Sequence, residues 1–335
     1  MFRVATLATA LAIVPQGSSA PGIATTPERT YSAFSSDPAH AFDFLIGEWD
    51  VDLLVPRDDG TFEESAGGTA SVHSILGGKA ILKLSNTTPL PRFSVRYFDP
   101  LTKRWVQWLD RPEKNSSRLE RLEGGFRHGR GELRRTTYDA AGKPVTTAQT
   151  FSDITPFSLR WDEFHSTDRG KSWTLDRVME FTRTAVEPKY PVWLSDVRLA
   201  AENRRCDDGR FRGYELLVGK WRSEGARLDL APILDGCAVM GILEIDGGGQ
   251  ELIFLTYDSF AESWVTAVLD DTPGTGLIVY SGSSGWPDLA AEDEGSLNWT
   301  VWCRSPVRLW EAGAQLAYQR GDRSVKLERV EDQRP

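Results

Sequence analysis

Glu163 and His165 stand two residues apart in Leu159-Arg-Trp161-Asp-Glu163-Phe-His165. Strand residues of one parity share a face. If this segment is a strand, Trp161, Glu163 and His165 point the same way. A carboxylate beside an imidazole can act as an acid–base pair or orient a ligand. Arg96 alternates with Phe93, Val95 and Tyr97 on another strand-like segment. It is the polar partner that would complete such a site if all of these residues line one cavity. The competing reading has the strand end leaving the fold, with Glu163 and His165 both solvated. His73 shares a parity with Thr69, Ser71 and Ile75, a mixed face, and reads as a buried, hydrogen-bonded histidine. His40 and His128 read as surface residues.

Ser166-Thr-Asp168-Arg-Gly170-Lys-Ser-Trp173 fits the pattern S-x-D-x-G-x-x-W and resembles the repeats of sialidases. A sialidase needs several copies and an arginine cluster, and one copy is present. The segment therefore reads as a tight hairpin: Asp168 caps backbone N–H groups, Gly170 supplies positive φ and Trp173 packs beneath. The acidic stretch Asp288–Glu294 lacks the spacing and central glycine of a calcium loop. Phosphate-binding, dinucleotide-binding and nucleophile-elbow glycine patterns are absent, as is a Cys/His nucleophile arrangement. With 4 His and 3 Cys in the chain, no metal site and no cofactor is expected.

The chain has 335 residues, Lys+Arg 39 against Asp+Glu 48, and net charge −9. That balance argues against nucleic-acid binding, which needs basic surface to replace counterions. Hydrophobic residues make up 40%, enough to exclude disorder as the main state. Residues 1–20 carry Arg3, an apolar run from Val4 to Val14 and the small-residue site Ser18-Ser19-Ala20. They read as a signal peptide, so the protein is expected to be secreted or periplasmic. No other stretch reaches 18 apolar residues, so no membrane span is expected. In an oxidising compartment two of Cys206, Cys237 and Cys303 could pair, and the sequence does not choose which.

An internal repeat organises the rest. Phe42-Asp-Phe-Leu-Ile-Gly47-Glu-Trp49 matches Tyr214-Glu-Leu-Leu-Val-Gly219-Lys-Trp221. Ile75-Leu-Gly-Gly78 matches Ile233-Leu-Asp-Gly236, Asp99 with Trp105 matches Asp258 with Trp264, and Asp110-Arg-Pro matches Asp271-Thr-Pro. Trp49 to Gly78 spans 29 residues but Trp221 to Gly236 only 15, so the second copy has lost a hairpin or had it trimmed. Within each copy the hydrophobic period is two, and turn signals such as Asp58-Asp-Gly60 and Ala141-Gly142 recur, the pattern of an antiparallel sandwich or barrel. Helix is confined to Pro38–Phe44 and to 196–205. Residues 21–40 read as an N-terminal arm, 41–183 and 214–335 as two domains, and 184–213 as a linker. Trp105 and Trp108 fall on opposite faces of one strand, and the abundant Trp could fill a barrel, pack between barrels or contact a partner.

The opening Phe42-Asp-Phe-x-x-Gly47-x-Trp49, with Asp99-Pro-x-Thr-x-x-Trp105 downstream, resembles the calycin-type, lipocalin-like β-barrel domains of uncharacterised secreted bacterial proteins. The resemblance covers about 42–183 well and 214–330 more weakly. It implies that the Gly-x-Trp strand begins a barrel, that Trp49 and Trp221 are structural, and that something apolar is held inside. The expectation is an all-β protein of two tandem lipocalin-like barrels, binding a small, mostly apolar molecule in the first. Arg96, Trp161, Glu163, His165 and His73 are its candidate ligand-binding residues, and the second barrel is a degenerate partner. The alternatives are an isomerase, cyclase or lyase using Glu163 and His165, or a structural interaction module. Some calycins hold haem by one histidine, a role open to His73 or His165.

Overall fold

The computed structural model describes residues 35–87, 91–113, 116–188, 206, 217–247, 249–259, 261–272, 274–282, 307–312, 315–320 and 323–330. The signal segment, most of the N-terminal arm, the 196–205 helix, Cys303 and the acidic stretch 288–294 lie outside the described residues. The described chain is all-β, with short 3-10 turns at Pro38–His40, Asp43–Leu45 and Leu76–Gly78. Among the described residues no helix is long and apolar enough to cross a membrane.

Ten antiparallel strands close into a barrel. They are β1 (Gly47–Pro56), β2 (Phe62–Ile75), β3 (Ala80–Ser85), β4 (Arg92–Asp99), β5 (Arg104–Glu113), β6 (Ser116–Arg127), β7 (Arg130–Tyr138), β8 (Pro144–Ser152), β9 (Ser158–Ser166) and β10 (Thr174–Ala185). Each pairs with its sequence neighbours, and β1 pairs with β10 to close the ring. Alternation builds this wall. On β1, Trp49, Val51 and Leu53 are buried while Asp50 and Asp52 are exposed. Trp49, Ile81, Leu122, Leu133, Phe151 and Phe181 meet in one core cluster inside the ring.

One end of the barrel is plugged by aromatic rings. Phe42 is fully buried and meets Trp105 at 5.0 Å, Phe151 at 5.3 Å and Phe126 at 5.8 Å between ring centroids. Edge-on contacts of this kind add to area burial. Trp49 Nε1 donates to the Leu45 carbonyl at 2.8 Å, and the Arg183 guanidinium lies 3.9 Å over the Trp49 ring. Arg183 also donates to the Phe44 and Ile46 carbonyls, which fastens the plug to β10. Gly47 has φ +138°, and a Cβ there would collide with Arg183 and the Ala185 carbonyl. Only glycine fits the entry to β1.

The second half is a nine-stranded antiparallel sheet. Its strands are β11 (Gly219–Ser223), β12 (Ala226–Ile233), β13 (Ala238–Ile245), β14 (Gly249–Asp258), β15 (Ser263–Asp270), β16 (Ile278–Gly282), β17 (Val307–Ala312), β18 (Gln315–Arg320) and β19 (Arg323–Arg329). The order is β16-β15-β14-β13-β12-β11-β19-β18-β17. Where a second barrel was expected, the described residues form a sheet with β16 and β17 at its edges. The first two strands after the Gly-x-Trp segment are shorter in the second half: β1 and β2 have 10 and 14 residues, β11 and β12 have 5 and 8.

Local geometry repeats between the halves. Trp221 Nε1 donates to the Leu217 carbonyl at 2.8 Å, and Arg329 covers the Trp221 ring at 4.4 Å. Leu76 and Gly77 turn with positive φ, as do Leu234 and Asp235. Asp110 accepts the Phe93 N–H as Asp271 accepts the Gln250 N–H. A disulfide joins Cys206 and Cys237, resolving the pairing that the sequence left open.

The sheet packs on the outer face of β3, β4 and β5. Phe93 stacks on Phe254 at 4.9 Å. The Tyr97 hydroxyl accepts the Leu277 N–H at 3.0 Å. Lys79 Nζ donates to the Asp270, Thr272 and Thr275 carbonyls. Trp105 and Trp108 do fall on opposite sides: Trp105 is in the barrel core, and Trp108 packs against the cluster shared with the sheet.

The plug makes a direct test possible. Phe42→Ala is expected to lower stability by about 3–5 kcal/mol, because Trp105, Phe126 and Phe151 lose their shared partner. Urea unfolding followed by Trp fluorescence reads this. A loss under about 1 kcal/mol means the end is not sealed by Phe42.

Candidate functional site

The inward face of the barrel changes character along its axis. At the plugged end it carries Phe98, Trp105, Phe151, Leu159 and Phe181. Two residues further along the same strands stand Arg96, Gln107, Gln149, Trp161 and Met179, and beyond them Ser94, Glu163 and Arg177. Strand register fixes the neighbours: Arg96 opposes Gln107, Lys83 opposes Ser94, Gln149 opposes Glu163, and Glu163 opposes Arg177. Cross-strand partners at this spacing touch.

These residues line a cavity of about 100 Å³, open on one side. Trp161, Met179 and Leu109 supply apolar wall. Five basic side chains (Lys83, Arg92, Arg96, Arg135, Arg177) face three acids (Asp110, Glu120, Glu163), an excess of two positive charges with every group ionised and of one with Lys83 neutral. The lining is thus more polar than the mostly apolar cavity the resemblance implies.

The acids are engaged. Arg135 pairs with Glu120 at 2.7 Å, with both side chains nearly buried. Arg177 Nε donates to Glu163 at 2.9 Å. Gln149 donates to Glu163 at 2.9 Å, and Gln107 donates to Gln149 at 2.8 Å. Glu163 can only accept, so it orients both amides in one direction along this chain. Asp110 is fully buried and accepts the Phe93 N–H at 2.5 Å.

Arg96 is different. It is 3% exposed, and its Nε and Nη1 are buried without a hydrogen-bond partner. Its guanidinium lies 5.4 Å from the Phe151 ring centre. Burial pushes its pKa down to about 9, so it stays cationic at neutral pH. The Ser85 and Ser94 hydroxyls and the Gln107 carbonyl oxygen are likewise buried and unpartnered. Lys83 lies over the Phe181 ring at 5.0 Å. Burial, then the nearby Arg96 and Arg92 charges, push its ammonium down to about 7, with Asp110 opposing.

Of the residues singled out in the sequence, Arg96, Trp161 and Glu163 line this cavity together. His165 does not. Its Nδ1 lies 2.6 Å from Asp176, and its side chain is 37% exposed. Glu163 and His165 each have another partner and do not assemble as a pair. His73 is buried but outside the lining. Ser71 donates to Glu48 at 2.7 Å, so the His73 Nε2, 2.7 Å from Ser71, must be the donor to that hydroxyl. Burial lowers its pKa, with Glu48 opposing. Among the described residues, no group of three or more His, Cys, Asp or Glu is placed to hold a metal ion. The 166–173 segment is a hairpin. Asp168 accepts from the Lys171 and Ser172 N–H groups and the Ser166 and Ser172 hydroxyls, which lower its pKa. Gly170 has φ +82° and packs near Trp173.

Sequence reasoning missed Lys83, Gln107, Gln149 and Arg177. A signal was present. Lys83 interrupts Ala80-Ile-Leu-Lys83-Leu, and Gln107 interrupts Trp105-Val-Gln107-Trp108. A polar residue at inward parity between apolar ones marks a wall that does not close on itself.

No protein-family model matches the chain, and no curated protein matches it. Among solved structures it is similar to a DUF3598-family protein of unknown function from Nostoc punctiforme. The identity is 10%, the match covers 85% of this chain and 82% of that one, and the TM-score is 0.23. At that score no argument rests on the likeness.

Lys83 gives a pH signature. Its folded pKa of about 7 lies below the usual lysine value of 10.5. Between the two, the unfolded chain holds a proton that the folded protein does not, so stability rises with pH across this window. The expected rise is on the order of 2 kcal/mol, less than the full shift implies because the lysine keeps some solvent contact. Lys83→Met should be more stable at pH 6 and should lose the rise between pH 7 and pH 9, below the range where Arg96 titrates. Urea melts from pH 6 to pH 10 check this, and an equal rise in wild type and variant overturns it.

Proposed function

We propose that the first barrel is a binding cup for a small molecule, whose body packs against Trp161, Met179 and Leu109. The observation that carries this reading is the half-filled barrel. One end is closed by the Phe42 plug, while the wall above leaves a lined cavity open to solvent. A cup of this kind suits retention of a ligand with few polar contacts. With His165 bonded to Asp176, the acid–base pair that turnover would need is unassembled, so binding without catalysis is the favoured reading.

The protein is further proposed to be exported, with residues 1–20 as its signal. The Cys206–Cys237 disulfide suits an oxidising compartment. The two halves are read as copies of one lipocalin-like, calycin-type unit, supported by the matched Trp49/Leu45 and Trp221/Leu217 bonds and the Arg183 and Arg329 caps. In this reading the second copy no longer serves as a cup and braces the wall of the first.

Native mass spectrometry of the protein purified from its own host tests the cup. A retained small mass is expected. Ser94→Leu, which places three carbons in the cavity, should cut retention at least about tenfold while the circular dichroism spectrum stays that of a β-protein. Retention unchanged by Ser94→Leu would put the ligand elsewhere.

A further inference from the structure

We infer that the ligand carries an acidic group, and that the site is built for a small organic monocarboxylate seated on Arg96. This inference rests on the cup reading and assigns the chemical class of its ligand. A guanidinium removed from water without acceptors is costly, and buried charges in proteins are normally paired. Arg96 is buried, and two of its three nitrogens have no acceptor. Two of the three acids in the lining are held by other cations or amides: Glu163 by Arg177 and Gln149, and Glu120 by Arg135. The third, Asp110, accepts the Phe93 N–H and keeps its charge, which acts on Lys83. What remains in the lining is the Arg96 guanidinium without an acceptor, with the unpartnered Ser94 and Ser85 hydroxyls and the Gln107 carbonyl oxygen; Ser94 opposes Lys83 across the strands.

That set accepts a carboxylate. Its oxygens take the guanidinium N–H groups as charge-assisted bonds, and the Ser94 hydroxyl can donate a further one. An amine would meet an excess of positive charge. A neutral amide would leave the guanidinium charge uncompensated. The apolar remainder of the ligand has Trp161 and Met179 to pack against. At about 100 Å³ the cavity is smaller than the roughly 150 Å³ that encloses a benzene ring, so a molecule such as benzoate would seat its carboxylate inside and leave part of its ring at the open mouth. Other groups face Arg96 from the neighbouring strands, namely Lys83 and Arg177, and both favour the same sign of ligand.

Isothermal titration calorimetry on the full chain with benzoate, benzamide, benzylammonium and toluene tests this. Benzoate is expected to bind at least about tenfold more tightly than benzamide, with no heat from benzylammonium. Arg96→Met should erase the preference for benzoate over benzamide without lowering the melting temperature, because it removes an unpaired buried charge. Equal binding of benzoate and benzamide overturns the inference, as does a preference that survives Arg96→Met. If Arg96→Met fails to fold, Arg96→Lys replaces it. Weakened benzoate binding supports the assignment, and unchanged affinity overturns it. Binding of toluene alone refutes the acidic ligand and leaves the cup standing. If none of the four binds and no mass is retained from the host, the cup itself falls.

Discussion

The contact on which the architecture depends is the seating of Trp49 between the Leu45 carbonyl and the Arg183 guanidinium. It occurs where the chain enters β1 and where β10 nears its end, so one side chain joins the first and last strands of a ten-stranded ring. A barrel has no edge only if that joint holds. Arg183 makes the joint polar and apolar at once, stacking on the indole while donating to Phe44 and Ile46. Those bonds satisfy carbonyls at a chain entry that would otherwise be buried unpaired. Glycine at position 47 follows from this closeness.

With one end sealed, the inward residues of each strand are sorted by depth. Near the plug, burial is complete and apolar side chains are favoured. Two residues higher, the same parity places Arg96, Gln107 and Gln149 where few waters reach. Such groups cost free energy unless they are bonded. The Gln107–Gln149–Glu163–Arg177 chain meets that demand for all but one of its atoms, the Gln107 carbonyl oxygen. Arg96 stands outside the chain.

Much of the fold was legible. The period of two, the turn residues and the Gly-x-Trp opening all report on local backbone geometry, which sequence encodes directly. The paired Trp anchors also located equivalent bonds in the two halves. The site was half legible. Arg96, Trp161 and Glu163 follow from parity on strands that read clearly. Lys83 and Gln107 sit on β3 and β5, whose outer faces are also buried. A strand covered on both sides reads as a continuous apolar run, and its alternation vanishes. His165 failed for another reason. Parity put it with Glu163, but an irregular register between Leu175 and Arg177 leaves Asp176 as its partner. A bulge is a one-residue event that strand-length patterns do not reveal.

That double covering also gives the second sheet its role in the barrel wall. β3, β4 and β5 carry Lys83, Arg96 and Gln107 inward, and Leu82, Phe93, Val95, Tyr97 and Val106 into the cluster shared with the sheet. The Phe93–Phe254 stack and the Tyr97 and Lys79 bonds hold this outer face at three points. An unpaired guanidinium in a soft wall would relax toward solvent. In a wall packed on both faces, the strand cannot shift without opening the interface behind it. The sheet's contribution is to keep Arg96 buried, so that the cost of desolvating the cation is met on folding.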